Sequence, residues 1–124
     1  MGTIEDRIDQ IWERIVNSAK SKIDYASFSK SFNDIVPGSA ENILINILED
    51  SANEVDIKII ALKIKNNIMV QGYVLQESQL QELIEEILPN IEYEIMAIKD
   101  AVQMVKEGEP ITDIEKVVEI LLAP

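Results

Sequence analysis

The stretch Val55-Asp56-Ile57-Lys58-Ile59-Ile60-Ala61-Leu62-Lys63-Ile64-Lys65-Asn66-Asn67-Ile68-Met69-Val70 decides how this chain is read. Projected at about 100° per residue, its apolar side chains fall on two opposite faces of a helix. Val55, Ile59, Leu62, Met69 and Val70 make one face, and Ile57, Ile60, Ala61, Ile64 and Ile68 the other. Asp56, Lys63 and Asn67 occupy one narrow polar edge, and Lys58 and Lys65 the other. A helix with two apolar faces must be covered twice, so this segment is expected to be the central element of the fold. A strand competes, because Val55 to Ile59 and Leu62 to Lys65 alternate and are rich in β-branched residues. Strands average only about six residues, and Ser51 and Glu54 form a capping-box pattern ahead of the run. Helix is therefore the better reading, with 55–64 as the part where a strand competes.

Working outward, glycine and proline punctuate the chain at joints. Gly38, Gly72 and Gly108 follow periodic segments, Pro37, Pro89 and Pro110 mark similar boundaries, and Gly2 and Pro124 are terminal. Such punctuation bounds helices. A first helix is expected over 4–22, capped by Thr3, with Ile4, Ile8, Ile11, Trp12, Ile15, Val16 and Ala19 on one stripe. A second follows over 25–35, presenting Tyr25, Phe28 and Phe32. Ser39 is placed to cap a third with Ile43, Leu44, Ile47 and Leu48 inward. Ser78 with Gln81, and Thr112 with Glu115, have capping-box spacing for two later helices. Between those two lies a long helix over 90–107, with Ile91, Ile95, Ile98, Val102 and Val105 inward. The expected fold is all-α: one domain over 1–124 with six or seven antiparallel helices, as a bundle or a short stack.

The segment Leu48-Glu49-Asp50-Ser51-Ala52-Asn53-Glu54-Val55 resembles the hinge of a HEAT-type helical repeat, and a second helix pair follows about 37 residues later. The resemblance covers less than half of the chain. Asp56 stands where such repeats usually carry arginine. What it implies is limited to consecutive helices forming antiparallel hairpins.

Composition removes much chemistry. The 124 residues include no histidine and no cysteine, and the formal charge is -12. Imidazole acid–base catalysis, thiolate nucleophiles and the usual nitrogen and sulfur ligands of zinc, copper or iron are therefore excluded. No phosphate-cradling glycine loop, nucleophile elbow or dinucleotide fingerprint occurs. The stretch 50–56 lacks the glycine and closing glutamate of a calcium loop. Glu82, Glu85 and Glu86 share a helical face, as do Glu115 and Glu119, but each set reads as a solvated surface. No catalytic residue, metal ligand or cofactor is expected.

An acidic surface repels phosphate backbones, so direct nucleic-acid binding is not expected. No apolar run approaches the roughly 18 residues of a membrane span. No leader pattern is visible, and Gly2 lacks the serine or threonine that a myristoylation signal needs. A cytoplasmic, non-catalytic protein-interaction module is the expectation, self-associating as a homodimer or part of a larger complex. Its binding face is expected on the later helices: Tyr93, Met96, Ala97 and Met104, joined by Ile120 and Leu122. The partner would be a second copy or a basic-surfaced protein. The alternative is an acidic regulator that mimics nucleic-acid charge in a basic cleft.

Overall fold

A computed structural model describes residues 3–123, so Gly2 and Pro124 lie outside the described residues. Seven α-helices follow one another: α1 (Ile4–Lys22), α2 (Tyr25–Asn33), α3 (Ala40–Ala52), α4 (Ile57–Val70), α5 (Glu77–Ile87), α6 (Glu92–Lys106) and α7 (Ile111–Leu122). A single 3-10 turn, Leu88–Asn90, joins α5 to α6, and there is no strand among the described residues. The fold is thus all-α, and the decisive stretch is helical from Ile57 to Val70, with Val55 and Asp56 ahead of the helix.

Local chemistry explains several boundaries. Thr3 and Asp6 exchange side-chain and backbone hydrogen bonds at 3.1 and 3.2 Å, closing a capping box that starts α1 where expected. Asp24 caps α2: its carboxylate accepts from the Ser27 hydroxyl at 2.9 Å and the Ser27 amide at 3.2 Å. Those two bonds, the hydroxyl first, hold the Asp24 carboxyl below its ordinary range. A depressed carboxyl stabilises the fold above its unfolded-state pKa, and that contribution is lost as pH falls through the folded-state value. Asp24→Ala is accordingly expected to lower the thermal midpoint at neutral pH and to lower it less in acid. Melting curves at the two pH values check this.

Three helices close with the same backbone motif. After α4, Tyr73 N–H reaches Ile68 C=O and Gly72 N–H reaches Met69 C=O, with Gly72 at φ 89°. After α6 the same pattern uses Gly108, and after α3 it uses Glu54 at φ 59°. Glycine adopts this left-handed conformation freely; Glu54 bears its steric cost.

Three expected capping boxes do not form. Helix α4 is capped by Asp56, whose side chain accepts from Lys58 N–H at 2.8 Å, while Ser51 and Glu54 belong to the end of α3. Helices α5 and α7 begin one residue before the expected cap, after Gln76 and Pro110 in extended conformation. The reason is tertiary: Leu75 is buried and Ile111 packs against the core, so the chain is committed to its direction before Ser78 or Thr112 is reached. Ser39 precedes α3 without a side-chain cap bond.

Cross-links between helices define their directions. Lys20–Glu41 at 3.1 Å and Trp12–Glu49 at 3.2 Å advance in opposite senses, so α1 and α3 are antiparallel. The end of α1 meets the first turn of α6 through Lys22 and Glu94, whereas its beginning meets α7 through Arg7 and Glu115. Helices α6 and α7 therefore run in opposite directions. Helix α6 packs against α1, α3 and α7, and Ala97 and Ala101 on its buried side let its neighbours approach closely.

This arrangement corrects the expectation that the 55–70 segment is covered on both faces. Ile60, Ala61, Ile64 and Ile68 are buried, and α4 packs chiefly on α3 and α5. Its other face has no helix over it. The interior position belongs to α6. Ile4 also leaves the expected α1 stripe and is exposed.

Candidate interaction surface

Eleven large apolar side chains are exposed among the described residues, and six of them fall within 59–74: Ile59, Leu62, Met69, Val70, Tyr73 and Val74. The first four stand on the outer face of α4, at spacings that return to the same side of a helix. The last two continue the patch into the link to α5. Val70 is 88 % and Val74 83 % exposed, well beyond the partial exposure of an ordinary rim residue. An apolar-rich face of this kind, here with the exposed Asn66 set among its members, marks a binding surface more often than a scatter of single residues does.

The edges of this face are basic. Lys58 and Lys65 lie along one side, Lys63 along the other, and α4 contains no aspartate or glutamate. Lys63 stands 3.6 Å from Asp50 and Lys65 3.9 Å from Glu77, both long and solvent-accessible pairs. Such pairs contribute little to stability and re-form easily with other carboxylates. The lysines of α4 thus border the stretch that carries six of the eleven exposed large apolar side chains among the described residues.

The residues expected to bind a partner are placed differently from one another. Tyr93 and Met96 are exposed on α6, and Ile120 is exposed on α7. Met104 and Leu122 are half-buried and pack against the core. Ala97 is 0 % exposed and is removed from the candidate face, because the side of α6 carrying Ala97 and Ala101 is packed within the bundle. The antiparallel course of α6 and α7 brings Tyr93, Met96, Ile120 and Leu122 to one end of that hairpin. Asp100 and Gln103, both exposed, interrupt the surface farther along α6. Three large apolar side chains, Tyr93, Met96 and Ile120, are exposed toward that end, against six over 59–74.

Glu94 was not foreseen as special, and it is the only buried charged residue among those described, at 0 % exposure. One carboxylate oxygen lies 2.7 Å from Lys22 Nζ as an ion pair and accepts from Ser18 Oγ at 2.8 Å; the other has no hydrogen-bond partner. The Lys22 ammonium also lies 5.5 Å from the centre of the Tyr93 ring. A signal was present in the sequence: Glu94 shares a helical stripe with Ile91 and Ile98. Its role is structural, tying the end of α1 to the start of α6. No group of three or more acidic side chains among the described residues is gathered to hold a metal ion. No described helix is long and apolar enough to cross a membrane.

The chain matches no protein-family model, no curated protein and no solved structure.

Proposed function

We propose that this chain is a non-catalytic protein-interaction module, acting in the cytoplasm, which docks a partner helix on the outer face of α4. The observation that carries the reading is the run of six exposed large apolar side chains over 59–74. The lysines at its edges support a partner whose apolar stripe is flanked by carboxylates, as in helix-on-surface recognition generally. Self-association through this face is disfavoured by the same charges. Pairing α4 with a second α4 sets lysine edges against lysine edges, with no carboxylate on either helix between Ile57 and Val70. The partner expected here is therefore acid-edged rather than basic. The expectation of a basic partner applies to the remaining, acidic surface.

Solution mass and differential capture test this reading together. The isolated chain is expected to be monomeric at low and high salt. A specific partner held by the wild type should be lost on Leu62→Glu and retained on Tyr93→Ser. Retention by Leu62→Glu, with loss on Tyr93→Ser, would move the site to the α6–α7 patch. A salt-resistant dimer abolished by Leu62→Glu would identify a second copy as the occupant. Binding to a basic protein that fades steeply with salt and ignores Leu62 would instead favour the charge-mimic reading.

A further inference from the structure

Beside the outer face of α4, a concave surface lies between the first half of α3 and the second half of α4. This groove encloses about 470 Å³, within the range of sites that hold ligands. Its floor includes Ile43, Ile64 and Ile68, all buried. Amides stand on both sides: Asn42 and Asn46 on α3, Asn67 and Gln71 on α4. Each pair is separated by four residues, which places its members on the same side of their helix. None of the twelve lining residues is charged or aromatic, in a chain that is 27 % charged.

We propose that this groove binds an extended, uncharged peptide segment of a partner protein, gripping its backbone between the two pairs of amides. The argument rests on spacing and on chemistry. Residues four apart on a helix are separated by about 6 Å along its axis, and alternate residues of an extended chain repeat every ~6.5 Å. Amide side chains on one helix therefore meet alternate peptide groups of a strand laid along it, and over one such step the mismatch stays small. Each asparagine both donates and accepts, as a peptide group does. The amides of Asn42, Asn46 and Asn67 make no side-chain hydrogen bond among the described residues, while Gln71 Nε2 donates to the Asn67 carbonyl at 3.1 Å and leaves its own oxygen to accept.

An extended chain seated there points every second side chain onto the isoleucine floor and the others to solvent. Charged inward side chains would be desolvated without a counter-charge, so the inward positions must be neutral. Phosphate and carboxylate ligands find no cation in the groove. Nucleobases and sugars find no aromatic ring to stack on. At Gly38, the added Cβ of any other residue would meet no atom within 4 Å, so the mouth beside α3 is open.

The groove meets the outer face of α4 at Val70, which borders both, but its amides and its isoleucine floor belong to the groove alone, so this inference does not rest on the proposed function. A phage-displayed library of random peptides, selected on the full chain, is the probe. Selected peptides should carry neutral residues at alternating positions and weaken about tenfold or more on the double variant Asn42→Ala/Asn67→Ala. Both asparagines are exposed, so this variant should keep the wild-type thermal midpoint, and Leu62→Glu should leave the peptides bound. Methylating the backbone nitrogens of a selected peptide one at a time should weaken binding at every second position. Absence of enriched peptides would overturn the proposal. So would peptides that depend on Leu62 and ignore the asparagines, or a methylation profile without alternation. Loss of the α4 partner with retention of these peptides would separate the two readings.

Discussion

Lys22→Met is expected to destabilise the fold by about 3 kcal/mol, among the largest losses available from a residue at the surface. The substitution preserves the aliphatic stem and removes only the ammonium. Glu94 then keeps a fully buried carboxylate with Ser18 as its single donor, since its second oxygen already lacks a partner. Breaking a buried pair from one side leaves an uncompensated charge, which is why the loss exceeds the worth of the pair itself. The low end of the usual range applies because the Lys22 side chain is 34 % exposed. Glu94→Met should cost less, since the freed lysine reaches water by extending its stem. The double variant Lys22→Met/Glu94→Met should return to within about 1 kcal/mol of the wild type, because no buried charge remains. Urea unfolding followed by the fluorescence of Trp12, the single tryptophan, measures all three. A Lys22→Met loss below the cost of Glu94→Met would mean that the carboxylate is solvated and the burial argument fails.

The same residues show what could be read in the sequence. Helix α1 was legible to both boundaries, because Thr3 and Asp6 supply a local cap and four consecutive turns share one stripe. Local hydrogen bonding and periodicity act within a few residues, so the sequence expresses them directly. The three failed capping boxes carry the same Ser/Thr-x-x-Glu/Gln spacing. Their helix starts were decided instead by the packing of Leu75 and Ile111, a tertiary matter the spacing does not contain.

Alanine caused the largest error in the candidate site. Periodicity assigned the inward side of α6 to Ile91, Ile95, Ile98, Val102 and Val105, leaving Ala97 on a spare stripe. In the fold Ala97 and Ala101 are buried and Val105 is exposed, because α6 is enclosed by three helices and close approach favours small residues. Val70 belonged to one apolar face of the 55–70 segment, while Tyr73 and Val74 were assigned to no element, and only the placement of α3 and α5 left all three uncovered. The second face of α4 was therefore readable as a face. That it is open to solvent followed from the way the other helices pack.

Opposite responses on the two faces of α4 are the sharpest consequence of that arrangement. Ile64→Ala is expected to cost about 2–5 kcal/mol, the loss for truncating a fully packed aliphatic side chain whose surroundings collapse only partly. Ile64 is 2 % exposed and forms part of the floor of the groove between α3 and α4, so the space left by truncation is closed by the core on one side and opens into the groove on the other, which favours the lower part of that range. Ile64→Val should cost about 0.5–1.5 kcal/mol, in proportion to the single methylene removed. Ile59→Ser, five residues earlier on the same helix, should fall within about 0.5 kcal/mol of the wild type, since it removes an apolar side chain that water already reaches. A helix sandwiched inside the bundle would make the two positions equally sensitive. Denaturation at several protein concentrations divides the remaining cases. If Ile59→Ser destabilises only at high concentration, a second copy covers the outer face, because stabilisation by association grows with protein concentration. If it is neutral throughout while Ile64→Ala remains costly, the face is open in the isolated chain, as recognition of a different protein requires.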